Sequence, residues 1–141
     1  MSPVLALCAF LIAERHAGSL SKWKPYIDVL PQAYNCPAYF SDEVINLLPS
    51  GLRAKAQDQK ERVWELHSSA ATFFASLQPL LQEPVVTVFS HDALRWAWCS
   101  VNTRTVYMRH PQSPHLSTEL DVYALAPYLD LLNHCPKVQV G

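Results

Sequence analysis

A mainly α-helical fold with one or two short β-strands is predicted by three features of this sequence. Apolar residues recur at three- and four-residue steps in its two longest patterned segments, residues 4–11 and 56–77. Only 3 glycines stand against 11 prolines, and tight hairpins need residues that tolerate positive φ. With 50% hydrophobic and 16% charged residues over 141 positions, there is enough apolar material for one buried core and no sign of a disordered tail.

The elements follow in order. Val4, Leu7, Cys8 and Leu11 mark a first helix, mostly buried, with Pro3 tolerated in its first turn and Gly18 placed to end it. A short second element runs through Ser21, Trp23, Tyr26, Ile27 and Leu30, closed by Pro31. An aromatic, proline-containing loop spans residues 34–40. Ser41 is then placed to cap a short helix carrying Glu43, Val44, Leu47 and Leu48, broken by Pro49, Ser50 and Gly51.

The clearest helix carries Ala56, Val63, Leu66, Ala70, Phe73 and Leu77, with Asp58 and Arg62 in acid-first i,i+4 order outside, and Pro79 is expected to end it. Val85, Val86, Val88 and Phe89 suggest a short extended piece after Pro84. Ser90 caps a further helix whose buried face is read as Leu94, Trp98, Val101 and Met108, with Trp96 and Cys99 turned away. Residues 110–119 form a polar surface loop, and a second strand is expected at residues 138–140. The expected core is Leu7, Leu11, Val63, Leu66, Phe73, Leu77, Leu94, Trp98, Val101, Leu129 and Leu132.

Charge argues against several function classes. Lys and Arg number 11, Asp and Glu 12, giving a net charge of -1, so the surface as a whole has no pull toward phosphate backbones or anionic lipid. Neither direct nucleic-acid binding nor membrane association is therefore expected. Gly18, Gly51 and Gly141 stand alone, so no phosphate-cradling loop is present. Cys8, Cys36, Cys99 and Cys135 lack the close pairing of zinc ribbons and are read as reduced thiols. The longest apolar run, residues 4–13, is shorter than the roughly 18 to 20 residues of a membrane span, and residues 1–16 lack a signal-peptide pattern. A cytoplasmic and nuclear protein is expected.

No histidine pair has the spacing that places two imidazoles on one helical face, and no serine or cysteine sits in a protease-like motif. His16, His67, His91, His110 and His115 are read as surface residues. No catalytic residue and no metal ligand is assigned. Two places invite a sharper reading. Arg104 shares a helical face with Ala97 and Ser100, where its planar guanidinium suits either a bound carboxylate or an internal ion pair. Asp130, Asn133 and His134 are polar side chains inside an apolar run, and such groups need partners from the backbone or from a ligand.

At these residues the sequence resembles the SET-domain methyltransferases of the Rubisco large-subunit methyltransferase type. Asp130, Asn133 and His134 look like the family's D-x-x-N-H motif, and Trp96, Ala97 and Arg104 like its tryptophan-to-arginine helix. Trp23, Tyr26, Leu30 and Pro31 look like its W-x-x-Y-x-x-x-L-P segment. The likeness runs from Val4 to Val140.

The resemblance implies a protein N-methyltransferase that uses S-adenosylmethionine and usually acts on lysine, here in a histone or a cytosolic protein, with a histidine-specific relative in the same group. It places Arg104 at the cofactor's carboxylate, Asn133 near its amino group, the His134 backbone at the adenine edge, and Asp130, Leu131 and Leu132 around that pocket. It also implies a partial SET domain truncated at both ends: residues 1–84 as the helical insert and 85–141 as the start of the C-terminal half. The family's glycine-containing cofactor loop and channel tyrosine are not found in the chain. An inactive form is therefore expected, with a non-catalytic helical protein-interaction module as the alternative.

Overall fold

The computed structural model describes residues 2–109 and 121–132. Helix α1, Pro3–Ala17, starts at Ser2, whose hydroxyl accepts the Leu5 N–H at 3.2 Å, and ends at Gly18 with φ +56°. Its Leu5, Cys8, Leu11 and Ile12 are buried. The stretch Pro3–Leu20 is 18 residues long, and by length and composition alone it is long and apolar enough to cross a membrane. In this fold its buried residues pack against the chain's central helix.

That central helix is α7, His91–Arg104, capped by the Ser90 hydroxyl on the Ala93 N–H at 3.2 Å. Short α2, Lys24–Ile27, buries Tyr26 and Ile27 beside α1. The following loop then runs along α7, held by three contacts. Pro31 O accepts the Trp96 indole N–H at 2.8 Å, and the Tyr34 and Ser100 hydroxyls lie 2.8 Å apart. The Arg95 guanidinium stands 4.3 Å over the Tyr39 ring. A 3-10 turn, Pro37–Tyr39, closes the loop before α3, Asp42–Asn46, which Ser41 caps as expected.

Helix α4, Ser50–Ser69, carries the expected Asp58–Arg62 pair at 2.9 Å and buries Ala56 and Val63. Pro49 does not merely break the chain here, because its carbonyl accepts the first N–H groups of this helix. The long pattern to Leu77 is two helices rather than one. The chain turns at Ala70 (φ −87°, ψ −3°) into α5, Ala71–Ser76. That turn rotates the apolar stripe, so Phe74 enters the core while Phe73 and Leu77 remain half-buried.

Three sequence expectations are corrected. Residues Val85–Val88 form a helical turn, α6, and not an extended piece. No neighbouring strand pairs with them among the described residues, whereas the turn satisfies its own backbone through Phe89 N–H to Val85 O at 2.8 Å. The Gln78 amide oxygen also takes the Val85 N–H at 2.8 Å.

Second, α7 stops at Arg104, and β1, Thr105–Arg109, pairs antiparallel with β2, Asp121–Leu125, in a register that puts Tyr107 opposite Tyr123. Met108 is therefore an exposed strand residue, not part of a helix face. Trp96 and Cys99 are buried rather than turned away, because α7 is enclosed on several sides by α1, α4 and the loop at residues 31–40.

Third, Leu129 and Leu132 are exposed, not core. Leu11, Val63, Leu94 and Val101 are fully buried as expected, and Leu7, Leu66 and Trp98 pack half-buried against them. The loop at residues 110–119 and the strand expected at 138–140 lie outside the described residues.

Candidate cofactor site at the end of the central helix

The three sequence blocks meet at one place. Arg104 is the last residue of α7, where Thr105 turns extended and its hydroxyl closes on Val101 O at 2.7 Å. Tyr26 comes from α2. Asp130 comes from the 3-10 turn Leu129–Leu131 that follows β2. That turn is entered through Tyr128 at φ +74°, a conformation that side-chain-bearing residues rarely adopt, and the Leu129 and Asp130 N–H groups both return to Ala126 O.

Asp130 Oδ2 accepts the Tyr26 hydroxyl at 2.8 Å and lies 3.8 Å from Arg104 Nη1. The same guanidinium nitrogen is 3.4 Å from the Asp130 carbonyl oxygen. The Asp130 side chain is 3% exposed, Arg104's 23%. A carboxylate withdrawn this far from water needs compensation, and the neighbouring cation together with the phenol supplies it on one oxygen. The other oxygen, Oδ1, is buried and has no hydrogen-bond partner among the described residues.

Burial, then the hydrogen bond to Asp130 and its negative charge, push the Tyr26 hydroxyl well above the usual phenol range, with Arg104 opposing. Tyr26 therefore stays a neutral donor across ordinary pH. The site thus offers a guanidinium with some access to solvent and a buried acceptor atom side by side. That combination is complementary to a small zwitterion bearing both a carboxylate and an ammonium.

Of the six residues expected around the cofactor, Arg104 and Asp130 are brought together, and Leu131 and Leu132 follow on the surface of the same turn. Asn133 and His134 lie outside the described residues. Tyr26 was legible only as a motif residue; its role needed a contact across 104 positions. Trp23 supports it, with its ring edge-on to Tyr26 at 5.8 Å and to Phe10 at 5.0 Å.

Two histidines depart from their surface reading. His91 stacks on Trp64 at 3.8 Å, and His67 Nε2 is 3.0 Å from Phe89 O, both rings half-buried. Among the described residues no three histidine, cysteine or acidic side chains come together to hold a metal ion.

Over 139 residues the sequence is 58% identical to SET domain-containing protein 4 of Homo sapiens, covering 99% of this chain and 32% of that protein. The similarity to that protein covers nearly the whole of this chain. It extends at 30% identity to a ribosomal lysine N-methyltransferase of Schizosaccharomyces pombe, over 96% of this chain and 23% of the relative. An actin-histidine N-methyltransferase of Callithrix jacchus is also 30% identical, over 92% of this chain and 21% of the relative. The chain therefore spans about a third of the length of SET domain-containing protein 4. No protein-family profile and no solved structure matches it.

Proposed function

We propose that this chain is the part of an S-adenosylmethionine-dependent protein N-methyltransferase that holds the amino-acid end of the cofactor. The enzyme as a whole acts on a lysine of a histone or cytosolic protein, in cytoplasm and nucleus. The observation that carries this reading is the convergence of Arg104, Asp130 and Tyr26, one from each motif block. The names of the relatives, two of them protein N-methyltransferases, support it.

The residues fit such a ligand. Arg104 presents a planar fork for a carboxylate, and Asp130 stands beside that fork with one buried oxygen that no described residue satisfies. Asn133, His134, Leu131 and Leu132 complete the proposed pocket. The cofactor, when bound, supplies an electrophilic methyl group on a sulfonium; the chain's own residues bind and orient. For the chain by itself we propose binding without methyl transfer.

Thermal unfolding with and without excess S-adenosylhomocysteine tests this. A ligand specific for the folded state adds about 2.7 kcal/mol at a hundredfold excess over its Kd, several degrees in Tm. The expected result is a shift in the parent chain that Arg104→Ala and Asn133→Ala abolish. A cooperative transition without a shift favours the second reading, a non-catalytic protein-interaction module. The exposed Tyr128, Leu129, Leu131 and Leu132 beside the hairpin support that second reading.

A further inference from the structure

Sixty-three positions separate Cys36 from Cys99, yet their sulfur atoms lie 3.1 Å apart, both as free thiols. Cys99 is in the middle of α7 and 1% exposed, whereas Cys36 is half-buried at the start of the 3-10 turn Pro37–Tyr39. The backbones on either side are held by contacts that do not involve sulfur. On the loop side these are Pro31 to Trp96, Tyr34 to Ser100, Tyr39 under Arg95, and the Ala38 N–H on the Gln59 amide oxygen at 3.1 Å. A disulfide bond is about 2.05 Å long, so closure takes only about 1 Å of side-chain movement in a frame already in place.

We infer that Cys36 and Cys99 form a reversible dithiol–disulfide site that clamps the loop at residues 31–40 to the central helix. The oxidant is hydrogen peroxide, small enough to reach the half-buried partner. The Cys36 thiolate attacks one peroxide oxygen, the O–O bond breaks, hydroxide leaves, and Cys36 becomes a sulfenic acid. The Cys99 sulfur then attacks the Cys36 sulfur, expelling that hydroxyl; with the Cys99 proton it leaves as water, and the S–S bond forms.

Two sulfur-bound hydrogens are lost, two electrons pass to the peroxide, and an external dithiol, itself oxidised to a disulfide, returns both. Burial holds Cys99 protonated at rest, which makes Cys36 the entry point and Cys99 the resolving group. Cys8 is fully buried, and burial pushes its thiol up to about 12, so it stays out of the reaction. Closure ties together residues 63 positions apart, restricting the unfolded chain, and it locks the helix that ends in Arg104.

The experiment treats the reduced chain with a slight excess of hydrogen peroxide, alkylates the remaining thiols, and maps peptides with and without dithiothreitol. The expected result is a Cys36–Cys99 linked peptide, two hydrogens lighter than its parts and abolished by dithiothreitol, in a monomer whose Tm has risen. Cys36→Ser, at a half-buried position, is expected to fold, to give no linked peptide and to show no peroxide-dependent rise in Tm. Progress of Cys36 to sulfinic acid with no linked peptide overturns the inference. So does linkage of Cys36 to Cys8, to Cys135 or to a second chain.

Discussion

Asp130 carries the electrostatics of the candidate site on one oxygen, where a phenol donates and a guanidinium stands close by. Tyr26→Phe removes that donor and leaves the buried carboxylate short of a partner, so a loss of about 1.5 to 3 kcal/mol is expected in urea unfolding. A change below about 0.5 kcal/mol would show that water enters the site.

The Trp64, His67 and His91 group offers a second residue-scale prediction. Burial, then the charges of His67 and Arg95, lower the His91 pKa below its ordinary value, with Asp92 opposing. The unfolded chain therefore binds this proton at higher pH than the folded chain does. Stability from His91 is complete above about 6.5 and declines as pH falls through that value toward the folded one. His91→Asn is expected to flatten that part of the stability–pH curve, measured by Tm between neutral and mildly acid pH. An unchanged slope would place the acid sensitivity elsewhere.

Among the described elements, α7 buries more residues than any other and was the least well read. Its N-terminal cap at Ser90 was legible because a hydroxyl before an apolar-periodic run is a local signal. Its end was not. The β-branched and aromatic run Thr105, Val106, Tyr107 favours a strand, but a helical spacing of Leu94, Trp98, Val101 and Met108 competes with it, and only pairing with β2 decides.

Its burial on several sides likewise follows from what surrounds it, since a helix enclosed by neighbours shows no single apolar stripe. At Val85–Val88 the β-branched run favours a strand, yet with no paired strand among the described residues it closes as a turn. Leu94 is completely buried near the N-terminal end of α7, and Leu94→Ala is expected to cost about 2 to 5 kcal/mol by chemical denaturation. A cost under about 1 kcal/mol would mean that the helix is not the hub of the core.

At the scale of the whole molecule, α1, the loop at residues 31–40 and α4 wrap α7, while the hairpin and the turn after it extend from its C-terminal end. The tryptophans Trp23, Trp96 and Trp98 are covered by this arrangement, and among the four only Trp64 is exposed, at 55%. The proposal of binding without transfer predicts no detectable incorporation of labelled methyl from S-adenosylmethionine into protein substrates by the purified chain. Incorporation that Arg104→Ala eliminates would overturn it.

By itself the sequence determined the helical class, the caps at Ser41 and Ser90, the end of α1 at Gly18, and three motif blocks. These rest on local spacing and backbone preference, which neighbours along the chain specify. The tertiary structure alone decided that Tyr26 answers Asp130, that Cys36 meets Cys99, and that α7 ends in a strand. Each depends on groups far apart in the chain being carried together by burial, which has no period that a linear pattern can display.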